Sequence, residues 1–164
     1  MAASTVPIVQ RARRFWNHRR MTSVDVVDET FITVAPSRLA AEFADPAGWR
    51  RFWPDLRLTV GTDRGEQGLR WIVGGALVGS MEVWLEPVLD GTVLHYYLRA
   101  DPADAAGRPA PLPPRRAVAE RARRQRAAKA IALGLKDLLE DGRPPGEAPA
   151  VREGVGADEP SLTA

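Results

Sequence analysis

The fold of this chain is decided by residues 83–99, VWLEPVLDGTVLHYYLR. Apolar and polar side chains alternate on both sides of Asp90-Gly91, a dipeptide that tolerates the positive φ angles of a two-residue hairpin turn. Such a turn predicts two antiparallel strands with Glu86 directly opposite His95. Because successive side chains point to opposite faces of a strand, one face of the hairpin is apolar. That face comprises Val83, Leu85, Pro87, Leu94, Tyr96 and Leu98.

A sheet with one apolar face needs a second layer, and the chain supplies a helix for it. Apolar residues recur every three or four positions from about Arg115 to Asp141, Gly142 serves as the C-cap, and Pro144 prevents continuation. The predicted apolar face of this helix consists of Val118, Ala122, Ala128, Ile131, Ala132, Leu135, Leu138 and Leu139. We therefore expect the helix to pack across the sheet.

The remainder predicts one long strand, two short helices and further strands. The first strand, at about 24–34, is rich in β-branched residues. Pro36 begins a short helix, Asp45-Pro46 interrupts it, and Pro54 ends a second one. Glycine turns then separate predicted strands at about 57–64, 69–73, 77–88 and 92–100. The predicted class is α+β, with a curved antiparallel sheet.

Composition limits what this chain can be. Its 164 residues, 45% of them hydrophobic, suit a single domain. The absence of cysteine excludes disulfides, thiolate metal sites and cysteine nucleophiles. No apolar run is long enough to span a bilayer, and no apolar stretch of signal-peptide length follows the N-terminal arginines, so we expect a cytoplasmic protein.

Charge and composition divide the chain into three parts. We predict a basic, disordered extension at residues 1–22, a folded domain at 23–141, and a disordered tail rich in Pro, Gly and Glu at 142–164. Met21 directly precedes the first strand, so translation from either Met1 or Met21 is consistent with this division. Residues 21–114 carry a net charge of −5, so the body of the domain is acidic.

Several short motifs in this order resemble one known superfamily. They are Val34-Ala35-Pro36, Asp45-Pro46 followed by Trp49, Trp53-Pro54, Gly91-Thr92 and Gly134-Leu135-Lys136-Asp137-Leu138. From about Val24 to Asp141 the chain resembles a short actinobacterial form of the SRPBCC superfamily. That superfamily includes START lipid-binding domains, birch-pollen-allergen-like proteins and polyketide cyclase/dehydrases.

The resemblance implies a helix-grip fold, in which a curved antiparallel sheet grips the C-terminal helix around an apolar cavity. One departure matters. Between Gly74-Gly75 and Asp90-Gly91 only one strand fits, whereas the superfamily commonly has two further strands there. A shorter sheet implies a smaller or more open cavity than a polyketide substrate needs.

Which polar side chains face the predicted cavity depends on the register between the strands. A tight turn at Gly74-Gly75 would pair Arg70 with Gly79 and point the guanidinium inward, where it could bind a carboxylate or an enolate oxygen. A three-residue loop or a bulge at Gly79 would instead turn Arg70 to solvent and Trp71 inward. Both registers remain open at this point.

Two further polar residues lie at strand positions whose side chains are predicted to point inward. Asp28 would need a partner such as Arg70 if it were buried, but a solvated strand end is the favoured interpretation. Tyr96 is favoured as a core residue with one hydrogen bond, although its hydroxyl could also contact a ligand or donate a proton. The predicted cavity residues are Trp53, Arg70, Met81, Val83, Leu85, Tyr96, Leu98 and Leu135.

The other candidates have ordinary explanations. His95, opposite Glu86 on the outer face, is predicted to form a surface pair, and a lone histidine cannot hold a metal. Trp49, Phe52 and Trp53 either rim the cavity or pack the short helices onto the sheet. The arginines of the long helix predict a solvated face: nucleic-acid binding is not expected, and weak contact with an anionic surface remains open.

We therefore predict a START-like protein that binds a small hydrophobic, lipid-like or polyketide-like ligand and uses no cofactor or metal. A cyclase or aromatase, with Arg70 stabilising an enolate while Tyr96 or Asp28 moves protons, is one alternative. Another is an interaction module with a filled interior, which would use Trp84 and Tyr97 or the basic helix. The sequence leaves the catalytic residues, the ligand and the oligomeric state unassigned.

Overall fold

The computed structural model describes residues 21–147 and confirms the predicted α+β architecture. The elements are β1 (Val24–Ile32), α1 (Pro36–Ala44), α2 (Pro46–Phe52), β2 (Leu56–Asp63), β3 (Gly68–Gly75), β4 (Leu77–Val88), β5 (Gly91–Pro102) and α3 (Pro114–Leu139). Most of the predicted N-terminal extension, residues 1–20, and of the predicted tail, residues 148–164, lies outside the described residues.

The five strands form one antiparallel sheet in the order β1-β5-β4-β3-β2. The short helices α1 and α2 connect its two edge strands, and α3 packs across the sheet with β1 as its main neighbour. A single strand, β4, lies between the two glycine turns, as the sequence predicted. Within residues 21–147, no helix has the combination of length and apolarity that a membrane crossing requires.

The two short helices form where their prolines predict. Pro36 and Pro46 occupy first-turn positions, where a missing N–H costs nothing. The Asp45 side chain caps α2 by accepting a hydrogen bond from the Ala47 N–H at 2.9 Å. Phe43 is fully buried and holds α1 against the sheet.

The β4–β5 hairpin differs from its predicted register by two residues. Val88 pairs with Gly91, so the loop is Leu89-Asp90 rather than Asp90-Gly91. Leu89 has the positive φ, 52°. Gly91 is instead required by close packing, since a Cβ there would lie 2.5 Å from the Ile32 carbonyl oxygen. A shift of two leaves every side chain on its predicted face.

Of the two β3–β4 registers that the sequence left open, the structure excludes the tight turn that would pair Arg70 with Gly79. Gly74 and Gly75 continue the ladder with β2, and the pairing of β3 with β4 begins only at Val73 and Gly79. Arg70 consequently pairs with Glu82. The shift is odd, so it exchanges the faces: Trp71 points into the core and Arg70 to the outer side.

The buried face of α3 differs in part from the predicted one. Val118 and Leu138, both predicted to be buried, are 62% and 60% exposed. The buried residues are Ala117, Arg124, Ala128, Ala132, Leu135 and Leu139. As far as Ala132, the buried residues of α3 are therefore alanines and one arginine, and the large buried side chains, Leu135 and Leu139, lie in its last turns.

Candidate ligand site

The space between α3 and the inner face of the sheet is nearly filled. A cavity of about 10 Å³ remains, which is close to the least space that one water molecule needs. It is lined by Asp28, Phe43, Trp53, Val83, Leu94, Tyr96, Ala128, Ile131 and Ala132. This space is far smaller than a ligand pocket.

The predicted cavity residues separate into three groups. Trp53, Val83 and Tyr96 line the remaining cavity. Met81, Leu85, Leu98 and Leu135 are buried in the core that surrounds it. Arg70 lies on the outer face, where its Nε is 3.8 Å from a carboxylate oxygen of Glu82. The structure thus does not bring Arg70 together with Tyr96 and Asp28.

An aromatic cluster forms one wall of the site. The Trp53 ring stacks on Tyr96 with 6.3 Å between centroids and also contacts Trp71 at 5.7 Å. Trp49 packs edge-on against Trp71 at 5.6 Å, and its indole N–H donates to the Phe43 carbonyl oxygen. Trp53 therefore packs the short helices onto the sheet and also borders the small residual cavity.

Among residues 21–147, two hydrogen-bond donors of this interior have no oxygen acceptor. The Tyr96 hydroxyl donates to the thioether sulfur of Met81, at 3.3 Å, and sulfur is a weak acceptor. Burial raises the pKa of the Tyr96 phenol, so this hydroxyl stays protonated. The Trp71 indole N–H is buried with no partner among the described residues. Such unsatisfied groups are uncommon in native cores.

Asp28 is buried, contrary to the favoured expectation of a solvated strand end. It is 7% exposed, and its carboxylate is bound by α3 rather than by Arg70. The Lys129 ammonium lies 2.9 Å from Oδ1, and the Gln125 side-chain amide donates to the same oxygen at 3.0 Å. The Thr30 hydroxyl donates to Oδ2 at 3.2 Å. Asp28 therefore ties β1 to the middle of α3.

A second polar contact ties the N-terminal half of α3 to the segment after Trp53. Arg124, only 6% exposed, donates from Nη1 and Nη2 to the two oxygens of Asp55, at 2.9 and 2.6 Å. Its Nε donates to Glu120 at 2.9 Å. The hydrogen bonds from Arg124 hold the pKa of Asp55 below its usual value.

Sequence reasoning missed the Asp55–Arg124 contact, because Arg124 was grouped with the solvated arginines of the helix. One signal was available: Glu120 and Arg124 are four residues apart, a spacing that places an acid and a base side by side on a helix. No local signal identifies Asp55, which is 69 positions away along the chain.

The C-terminal end of α3 is anchored separately. The Glu140 carboxylate accepts from the Thr33 N–H and hydroxyl, both at 2.7 Å. Arg143 donates to the Asp90 carboxylate at 2.9 Å, which joins the chain after α3 to the β4–β5 turn. Leu135 and Leu139 add apolar burial. This end of the helix is therefore fixed by large side chains as well as by polar contacts.

His95 lies on the outer face, as predicted, but it is buried there. Its Nε2 is 2.9 Å from Glu86 and its Nδ1 is 3.0 Å from Glu29. Trp84 stacks over the ring at 4.6 Å and shields it from solvent. Among residues 21–147, no three His, Asp or Glu side chains converge in the manner of a metal site.

The sheet, the crossing helix and the position of the cavity define a helix-grip protein. The Aha1 dimer from Colwellia psychrerythraea is similar in structure, with a TM-score of 0.53 and 14% identity over 74% of this chain and 99% of that one. DR_A0006 from Deinococcus radiodurans gives a TM-score of 0.52 and 15% identity, covering 73% and 99%.

These similarities show the fold alone, because the identities are low. No family model matches the sequence, and no curated protein gives a significant match. The predicted actinobacterial form of the superfamily stays a prediction.

Proposed function

We propose that this protein binds a small apolar molecule between α3 and the inner face of the sheet, at the position of the residual cavity. One observation carries the proposal: two of the three α3 residues that line the cavity, Ala128 and Ala132, are alanines, and Ile131 is the third. From Ala117 to Ala132, the buried residues of α3 are three alanines and Arg124. A helix that only seals a core usually presents larger apolar residues.

The contacts of α3 support a hinged movement. Burial of a methyl-sized group contributes only about 0.8 kcal/mol, so the alanines hold the part of α3 from Ala117 to Ala132 weakly. Its firm contacts are polar, namely Arg124 with Asp55 and Lys129 with Asp28, and water can replace them when the helix lifts. Leu135 and the Glu140 contacts keep the other end in place.

The interior indicates which ligands suit the site. Apart from the Asp28 carboxylate and the Tyr96 hydroxyl, its walls are aromatic and aliphatic, which favours a largely apolar molecule. The Tyr96 hydroxyl, now bonded to sulfur, would gain a stronger hydrogen bond from a carbonyl or ether oxygen. A neutral ligand with one acceptor oxygen therefore fits better than a charged one. The cyclase alternative loses its main support, because Arg70 lies on the opposite face of the sheet.

The experiment measures binding of the neutral fluorescent probe N-phenyl-1-naphthylamine to the full chain, beside native mass spectrometry of protein purified from its host. Ala128→Leu fills the cavity from α3, whereas Ala127→Leu adds the same side chain at an exposed position of the same turn. We expect Ala128→Leu to reduce probe affinity about tenfold or more and Ala127→Leu to retain it. Ala132→Leu repeats the test if Ala128→Leu does not fold.

Absence of both probe binding and a co-purifying molecule would contradict the proposal. It would favour the interaction role, for which Trp84 offers a partly exposed aromatic ring on the outer face. Equal probe affinity in Ala127→Leu and Ala128→Leu would place the probe outside the cavity and would also count against the proposal.

A further inference from the structure

An open groove lies beside the N-terminal half of α3, between that helix, the β3–β4 turn and the connector after β5. Its volume is about 470 Å³, within the usual range for small-molecule sites. It is lined by Ala76, Leu77, Pro102, Leu112, Arg116, Ala119, Glu120, Arg123 and Arg124. None of these residues lines the interior cavity, so the groove is a separate feature.

The groove combines an apolar surface with an arginine rim. Five of its nine lining residues are apolar, and they come from four separate parts of the chain. Leu112 is held beside the groove because its N–H donates to the Ser23 hydroxyl at 2.7 Å, and Ser23 is bound to Asp101. This segment of the connector is therefore fixed, and the groove wall is formed before any ligand arrives.

The charges along the rim do not cancel. Arg123 donates two hydrogen bonds to Glu120, at 2.9 and 2.7 Å, and Arg124 is bound by Glu120 and Asp55. These four residues balance one another. Arg116 lies one helical turn before Glu120 and forms no hydrogen bond or ion pair within residues 21–147. One positive charge thus remains at the mouth of the groove.

We infer that this groove binds small molecules that join a single carboxylate to an apolar chain. Arg116 binds the carboxylate, and a guanidinium does so best through two parallel hydrogen bonds. The apolar chain lies along Ala119, Leu112 and Ala76. A neutral molecule would leave Arg116 without its partner, and a short anion would leave the apolar wall exposed to water.

The test titrates the full chain with decanoate, below its micelle-forming concentration, and measures heat or chemical-shift changes. Decanol and acetate are the comparison ligands, each lacking one half of the proposed recognition. We expect saturable decanoate binding and at least about tenfold weaker binding of both comparison ligands. Arg116→Gln should weaken decanoate binding about tenfold, and Arg121→Gln, at an exposed position of α3 outside the groove, should not.

Three results would overturn the inference. Equal loss of affinity in Arg116→Gln and Arg121→Gln would indicate unspecific attraction to a basic helix. Binding of vesicles containing an anionic lipid, without binding of monomeric decanoate, would indicate a membrane surface instead. Decanoate binding that disappears in Ala128→Leu but persists in Arg116→Gln would place the acid in the interior cavity and refute the groove; it would support an interior ligand site but contradict the preference of that site for a neutral ligand.

Discussion

Replacement of Asp55 by alanine tests whether polar contacts hold the N-terminal half of α3 on the sheet. The change removes two of the three charge-assisted hydrogen bonds that Arg124 makes, and leaves a buried guanidinium with Glu120 alone. Hydrogen bonds to charged groups contribute about 1.5–3 kcal/mol each, and Asp55 is 36% exposed, which reduces their effect. We expect the free energy of unfolding to fall by about 2–3 kcal/mol.

Urea denaturation measures that free energy, and hydrogen exchange locates the effect. The backbone amides at 117–128 should exchange about 30-fold faster in Asp55→Ala, because the lost hydrogen bonds lower the free energy of local opening of this part of α3. Exchange near Leu135 and Leu139 should change less, since other contacts anchor that end.

A double-mutant cycle with Arg124→Met isolates the contact. Methionine is apolar and similar in length, so Asp55→Ala should cost less than about 0.5 kcal/mol in that background. A cost below about 0.5 kcal/mol in the natural chain, or the same cost in both backgrounds, would refute the reasoning.

The same contact sets a pH dependence. The pKa of Asp55 is lowered from 3.8 by the hydrogen bonds from Arg124, so the carboxylate stabilises the fold fully above that value. As pH falls through the lower folded-state pKa, this stabilisation disappears. The stability difference between the natural chain and Asp55→Asn should therefore be constant from pH 5 to 7 and shrink below about pH 4. A constant difference down to pH 2 would contradict this.

Four further substitutions test other parts of the fold. Gly91→Ala should lower the free energy of unfolding by about 1–3 kcal/mol, because the new Cβ would meet the Ile32 carbonyl oxygen. Gly134→Ala, at an open helical position, should raise it by about 0.5–1 kcal/mol. Urea titrations of both variants measure these changes. Leu89→Gly should raise Tm by a few degrees in calorimetry, since leucine at φ 52° is strained, and an unchanged Tm would argue against strain. His95→Phe keeps the ring stacked under its tryptophan but loses both carboxylate contacts, so it should cost about 1–2 kcal/mol in chemical denaturation.

Much of the fold followed from the periodicity of the sequence. The alternation in residues 83–99 identified the inward face of β4 and β5, and that assignment survived an error of two residues in the turn because faces repeat every two positions. Prolines located α1 and α2, and the spacing of apolar residues located α3 to within two residues at each end. These features depend on neighbours in sequence, so a sequence alone can show them.

The candidate site was predicted less well, since it depends on contacts between distant residues. Arg70 was placed on either face according to the turn geometry at Gly74-Gly75, and pairing with β2 moved the start of the β3–β4 ladder by an odd number. Asp28 was predicted to be solvated from the pattern of its own strand, but its partners Gln125 and Lys129 lie about 100 positions away on α3.

By itself, the sequence determined the order of the elements, the apolar face of the central hairpin and the presence of a covering helix, because each follows from local spacing and turn residues. Only the tertiary structure decided which arginine is buried, how Asp28 is paired and how little space remains beneath α3. The physical reason is that burial and cavity volume depend on the packing of side chains from separate elements, and a shift of one residue in register changes which side chains meet.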